Sequence, residues 1–252
     1  MPRLSVILIT HNEEKDLPRC LDSLKGVADE IVVVDSHSAD RTRDIARKYT
    51  DKVFERDFAG YGPQKQFALE QASGEWILNL DADECLTPGL AMEIRTYFQK
   101  GDPVPNGFWI PYENYFLGRR LRFGGSFREH HLRLFRKSQG HYAGRVIHEG
   151  IAVSPPLGYL NGRIRHESYR GFTEYLEKCN EYTRLIAGQK FAQGRRFAAW
   201  HHLRLPWEFF VRYVVKLGFL DGQAGFVYAV LSAYYAWLKH VRLLDYERGE
   251  GI

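Results

Sequence analysis

In the first hundred positions apolar residues fall in short unbroken runs. Leu4-Ser-Val-Ile-Leu-Ile9, Ile31-Val-Val-Val34 and Trp76-Ile-Leu-Asn-Leu80 are too short for buried helices, and they predict strands covered on both faces. Val53-Phe54 predicts a weaker strand between the second and the last of these. Between the runs the period changes. Leu17, Leu21 and Leu24 share one face of a helix predicted over Glu14 to Lys25, with Gly26 as its stop. Further helices are predicted from Asp40 (as N-cap) to Tyr49, from Pro63 to Ala72, ended by Ser73-Gly74, and from Pro88 to Gln99. Strands alternating with helices predict a mainly parallel, Rossmann-like sheet with helices on both faces. Such sheets take ligands beyond the carboxyl ends of their strands. The polar clusters Thr10-His11-Asn12-Glu13, Asp35-Ser36-His37-Ser38 and Asp81-Ala82-Asp83-Glu84 stand at those ends.

From 101 to about 168 the chain is richer in glycine, proline and aromatics, and strands are predicted at Phe108 to Ile110 and Leu132 to Phe135. From Phe172 onward the pattern is helical. Tyr175 to Ala187, Pro206 to Leu220 and Gly222 to Leu244 are predicted as helices. The pattern divides the chain into residues 1–170, which change character near residue 100, and a helical region over 171–252.

Composition narrows the class. The 252 residues are 44% hydrophobic and 26% charged, which excludes a disordered or fibrous chain. A net charge of +4 is too small to mark a nucleic-acid binder, and the acidic strand ends argue against one. Cys20, Cys85 and Cys179 form no CxxC pair or disulfide framework, and they point to a reducing compartment. Leu4 to Ile9 is too short for a secretory leader. No apolar stretch has the length of a confident membrane span, although Gly222 to Leu238 carries no charge.

Asp81-Ala82-Asp83 is the sharpest chemical feature. Two carboxylates one residue apart at a strand end suit a hard divalent cation, Mg²⁺ or Mn²⁺, that keeps positions for water and phosphate. Asp35 is placed to bond a ribose or a base edge, while Ser38 or Asp40 caps the helix that follows. The glycine-rich dinucleotide fingerprint and the P-loop are absent from the sequence, so a metal would balance a diphosphate in place of a glycine cradle.

Taken together, Ile9-Thr-His-Asn-Glu13, Val34-Asp-Ser-His-Ser-Ala-Asp-Arg-Thr42, Gln64-Lys65 and Gly74-Glu-Trp-Ile-Leu-Asn-Leu-Asp-Ala-Asp-Glu84 resemble the family 2 glycosyltransferases of GT-A fold over roughly residues 4 to 168. Arg133-Leu-Phe-Arg136, His148-Glu149 and Gly218-Phe-Leu-Asp-Gly222 extend the resemblance to bacterial lipopolysaccharide core β-1,4-glucosyltransferases. The resemblance implies a nucleotide-sugar site at Thr10, Asn12, Glu13, Asp35, Ser38, Lys65, Asp81 and Ala82. It implies a metal held by Asp83 with His166, for which His148 is the rival. Glu149 falls on the catalytic-base position, where the family pattern often has Asp. Arg133, Arg136 and His148 are candidates for the acceptor or the diphosphate, since guanidinium groups bind phosphate bidentately. The implied activity is inverting transfer of glucose from UDP-glucose to a lipopolysaccharide core or similar anionic lipid-linked glycan. The implied location is the cytoplasm, at the cytoplasmic face of the inner membrane. Another lipid-linked or protein acceptor, or a nucleotide-sugar-binding membrane scaffold without turnover, are the alternatives.

The last third interleaves Arg195, Arg196, Arg204, Arg212 and Lys216 with Phe197, Trp200, Trp207, Phe209, Phe210 and Tyr213. That mixture suits the headgroup region of an anionic leaflet. Packing on the catalytic domain or on another subunit remains open at the level of sequence, as does oligomeric state.

Overall fold

The computed structural model describes residues 3–102, 104–125, 129–142, 151–169 and 171–250. The three apolar runs become β1 (Leu4–Thr10), β2 (Glu30–Asp35) and β4 (Trp76–Asp81), and β3 is Val53–Glu55. β1 lies parallel between β2 and β4, and β3 extends the sheet beyond β2. The unbroken hydrophobicity follows from double-sided cover. Leu4, Val6, Leu8, Leu78 and Leu80 face one core with Leu17 and Leu21 of α1 (Leu17–Asp22) and Leu90 and Ile94 of α4 (Pro88–Gln99). Ile7, Val32, Val34 and Ile77 face the other core with Ala68 and Leu69 of α3 (Tyr61–Gln71). Each fully buried Leu, Ile or Val contributes about 1.5–3 kcal/mol.

The helix from Pro88 to Gln99 stands where its pattern predicts, with the Thr87 hydroxyl accepting the Leu90 N–H. The first two helices are shorter than predicted. The Glu13 N–H donates to Thr42 Oγ1 and the Glu14 N–H to Asp40 Oδ2, so the start of α1 is spent on the neighbouring loop. α2 is Thr42–Ala46. Asp40 lies before its N-cap and accepts from the Thr42 N–H and hydroxyl.

The chain divides into two compact units, Met1–Glu113 with Glu129–His166, and Asn114–Arg128 with Glu167–Ile252. In the first, the sheet continues past the parallel strands. β8 (His130–Arg136) joins β4 antiparallel and pairs on its other edge with β6 (Gly107–Phe116). β12 (Ile164–Tyr169) pairs antiparallel with β5 (Glu84–Leu86), setting His166 opposite Glu84. β11 (Leu157–Tyr159) flanks β6, and β9 (Gly140–Tyr142) with β10 (Ile151–Val153) forms a separate ribbon, while β7 (Arg119–Arg120) belongs to the second unit, where it pairs with Tyr115 and Phe116. The resulting α/β sheet is parallel from β3 through β2 and β1 to β4, and Cys20, Cys85 and Cys179 are buried thiols in no disulfide.

The second unit is helical. α5 (Phe172–Ala192) packs on α7 (Gly222–Val241), and the Tyr175 hydroxyl donates to the Leu231 carbonyl. The helix predicted from Pro206 to Leu220 is broken. α6 (Arg204–Phe210) passes into a wider π turn at Val211–Val215, Leu217 takes φ +58°, and a single 3₁₀ turn follows at Gly218–Asp221. Backbone contact explains the break. A Cβ on Gly218 would lie 2.6 Å from the Arg212 carbonyl oxygen, and one on Gly225 would run into the Gly218 carbonyl. Asp221 accepts from the Arg122 and Phe123 N–H groups, so Gly218-Phe-Leu-Asp-Gly222 acts as a packing motif. α7 stops at Val241 and α8 (Leu243–Glu247) follows. No single helix among the described residues is long and apolar enough to cross a membrane. The pair Ala199–Val215 and Gly218–Glu247, bent by 72°, passes that test together.

Candidate active site

Register brings the polar strand ends together. Thr10 pairs with Asp35 across β1 and β2, and Ile9 pairs with Asp81 across β1 and β4. The carboxyl ends of three adjacent parallel strands therefore lie side by side.

The loops after β1 and β2 are laced to each other. Fully buried Asp35 accepts from Thr10 Oγ1 at 2.8 Å, from Ser38 Oγ at 2.6 Å and from the Ser38 N–H at 2.8 Å. Ser38 Oγ accepts from the Asn12 N–H, and Asn12 Oδ1 accepts from the Ala39 N–H. Asn12 and His37 sit at φ +57° and +55°, strained conformations held by this lacing. Thr10, Asp35 and Ser38 thus form the buried frame of these loops, and His11, Asn12 and His37 their exposed rim. Glu13 is half-buried, its carbonyl accepting from the Asp16 and Leu17 N–H groups.

Asp81 is held by two cations. Lys65 of α3 meets Oδ1 at 2.9 Å, and Arg133 of β8 meets Oδ2 at 2.9 Å. Burial favours the neutral acid, but Lys65 and Arg133 outweigh it and hold the Asp81 carboxyl far below the usual carboxylate range. Arg133 also reaches Glu84 Oε1 at 2.7 Å, and its Nε donates to the Tyr112 hydroxyl at 2.6 Å. That hydroxyl donates in turn to Glu84 Oε1 at 2.5 Å, and Glu84 Oε2 accepts from the Asp81 N–H. Glu84 is buried, which raises its pKa despite Arg133, with Asp81 and Asp83 adding to the rise. Glu84 and Tyr112 were not singled out by sequence. Glu84 stands inside a recognised acidic cluster, whereas nothing in the pattern around Tyr112 marks it.

Asp83 faces His166, with Oδ2 and Nε2 3.4 Å apart, and its carbonyl accepts from Arg19. Burial opposes the charged imidazole, but the Asp83 contact and the Asp83, Glu84 and Asp81 charges raise His166 to about 9. Ala82 is buried between the two aspartates. Among the described residues no three His, Cys, Asp or Glu side chains converge as a complete metal set. Asp83 and His166 alone offer an oxygen and a nitrogen to one point. That fits a Mg²⁺ or Mn²⁺ whose remaining positions belong to water and phosphate.

Arg136 is not brought to this cluster. It pairs in register with Trp76 at the amino end of β4, roughly 17 Å along the strand from Asp81. There it bonds Asp102 at 2.7 Å and lies 4.9 Å from the Trp76 ring centre. Its spacing from Arg133 carries it down the antiparallel strand, so this geometry serves sheet packing. Glu149 and His148 lie outside the described residues.

The sequence profile of "Glycosyl transferase family 2" matches residues 5–154. The lipopolysaccharide core biosynthesis glycosyltransferase LpsC of Rhizobium meliloti is 32% identical over 248 residues, covering 95% of this chain and 91% of LpsC. An uncharacterized glycosyltransferase of Rickettsia typhi is 27% identical over 262 residues, covering 97% of this chain and 88% of its own. Among solved structures, residues 1–349 of Staphylococcus aureus TarS in complex with UDP align with a TM-score of 0.50 at 17% identity. That alignment covers 98% of this chain and 92% of that one, and it shows a shared fold.

Proposed function

Because the chain belongs to glycosyl transferase family 2, we propose that it is an inverting, metal-dependent hexosyltransferase. It moves glucose from UDP-glucose to a sugar hydroxyl of a lipopolysaccharide core or a similar anionic lipid-linked glycan. The observation that carries this reading is the Asp83–His166 pair beside an Asp81 clamped by Lys65 and Arg133, all at the end of β4. Full-length similarity to LpsC supports the core acceptor, and the UDP complex of TarS supports a uridine donor.

Each residue has a task. The laced loops present Asn12 at the rim of the nucleoside pocket, with Thr10, Asp35 and Ser38 holding its shape. Asp83 and His166 would hold a divalent ion, which would supply charge to balance the leaving diphosphate. Lys65 and Arg133 fix Asp81 and keep positive potential where that charge develops. Glu149 takes the acceptor hydroxyl proton, and attack opposite the leaving diphosphate gives a β-linkage. The acceptor is lipid-linked, which places the work at the cytoplasmic face of the inner membrane.

The test is UDP release by the purified full chain with Mn²⁺ and a core oligosaccharide, offered UDP-glucose, UDP-galactose and UDP-N-acetylglucosamine in turn. Product linkage is read by NMR. Metal-dependent release with UDP-glucose and a β-linked product is expected. An α-linked product overturns inversion, and full turnover by Asp83→Ala overturns the metal assignment. No release with any donor, alongside intact UDP binding, favours a non-catalytic scaffold.

A further inference from the structure

The second unit carries a group of bases that its acids do not neutralise. Lys190 of α5 donates to His240 Nε2 at 3.2 Å, and the His240 ring stacks on His201 with centroids 4.3 Å apart. Both imidazoles are buried. Lys239 follows on α7, 5.6 Å from the Tyr235 ring centre, and Arg204 lies 5.8 Å from that of Trp200. The carboxylate that acts on this group is Glu208, which favours the charge on Lys239, but it is already engaged by Arg212 at 2.8 Å. Burial and the surrounding like charges bring Lys190 down to about 8 and His240 to about 3. Among the described residues no carboxylate lies within ion-pair reach of Lys190, Lys239, His201 or His240. The positive potential of Lys190, Lys239 and Arg204, with no carboxylate beside it among the described residues, is relieved by an anion.

The same stretch of chain exposes large apolar side chains. Residues 202–207 are all exposed, with Leu203 at 67% and Trp207 at 62%, and Trp200 and Phe210 flank them. Val215, the last residue of the π turn, and Leu217, Phe219 and Leu220 beyond it are exposed as well. Apolar surface on this scale marks a binding face. The core of a protein–protein interface is depleted in charge, whereas here Arg204 and Lys216 alternate with the apolar residues. Aromatics and bases mixed on short, bent helical pieces match the boundary between headgroups and acyl chains.

We propose that the Ala199–Asp221 stretch docks on an anionic bilayer, with one phospholipid phosphate taken among Lys190, Lys239 and Arg204. Trp200, Leu203, Trp207 and Phe210 enter the acyl boundary beside it. The inference goes beyond the transfer reaction and stands whatever donor and acceptor prove correct.

Co-sedimentation of the full chain with vesicles of phosphatidylcholine, alone or mixed with phosphatidylglycerol, tests it. Binding to the anionic vesicles that weakens with salt is expected. Arg204→Gln with Lys239→Gln lowers that affinity by roughly fivefold for each base removed and flattens the salt dependence. The exposed pair Leu203→Ser and Trp207→Ser lowers it by about tenfold. An unchanged melting temperature shows that this second variant is folded. Equal binding to both vesicle types, or unaltered binding by both variants, overturns the proposal. Inorganic phosphate that raises the melting temperature without any vesicle preference makes the cluster a free-phosphate site instead. A dimer in size exclusion that Trp207→Ser dissociates assigns the face to a second copy. UDP release on a soluble acceptor, measured in parallel, reports on the transfer reaction separately.

Discussion

Glu30 ties together the amino-terminal ends of the parallel strands, on the side away from the candidate site. Its carboxylate accepts from Ser5 Oγ at 2.5 Å, from the Ser73 N–H and hydroxyl at 2.7 Å each, and from Lys52 Nζ at 2.5 Å. Ser5 Oγ in turn accepts from the Gly74 N–H, where a Cβ would lie 2.5 Å from that oxygen. One carboxylate thus joins β1, β2 and the turn into β4. Burial disfavours its charge, but Lys52, Ser5 and Ser73 outweigh that and lower the pKa from 4.5 to about 2. A depressed carboxylate stabilises the fold above its unfolded pKa and loses that contribution as pH falls through the folded value. The full shift corresponds to about 3.4 kcal/mol. Lys52 is 39% exposed, so screening reduces the working figure to about 1.5–2 kcal/mol. Glu30→Gln keeps the shape and removes the charge. Urea unfolding should show the variant less stable by that amount at pH 7, by less than half of it at pH 3, and equal to the parent near pH 2. A difference that stays constant from pH 7 to pH 3 refutes the electrostatic account and leaves only local packing.

Four further outcomes follow from the geometry. Asp83→Ala and His166→Ala should each lower kcat by about a hundredfold or more with Mn²⁺ saturating, and chelation of the parent should do the same reversibly in the UDP-release assay. Glu149→Gln should abolish transfer while calorimetry shows UDP binding nearly intact; normal turnover removes Glu149 from the base position. Arg133→Met should cost about 3 kcal/mol in urea unfolding, because it leaves buried Glu84 without its cation and half-buried Asp81 with Lys65 alone, and should lower kcat/KM as well. Gly225→Ala should cost about 2 kcal/mol through its clash with the Gly218 carbonyl, read as a lower Tm with UDP binding retained.

The local code determined much of this protein. The runs at Leu4, Ile31 and Trp76 are legible as buried strands because a residue with apolar cover on both faces needs no alternation. Pro88 to Gln99 is legible because its apolar period and its Thr87 cap both act within a few residues. Asp81 and Asp83 stand out because a polar cluster directly after such a strand faces the ligand edge of the sheet. The tertiary structure decided what those signals could not carry. Antiparallel β8 brings Arg133 to Asp81 from 52 residues away, and three positions along the same strand it delivers Arg136 to Asp102 instead. The pairing of β12 with β5 places His166 by Asp83, and the reach of Tyr112 to Glu84 depends on β6 lying beside β8. Loop lacing shortened α1 and α2, and backbone contact at Gly218 and Gly225 broke a helix whose period looked continuous. Periodicity and capping act over a few residues and are written in sequence. Which distant arginine meets which aspartate depends on strand pairing, whose register emerges only when the sheet is assembled.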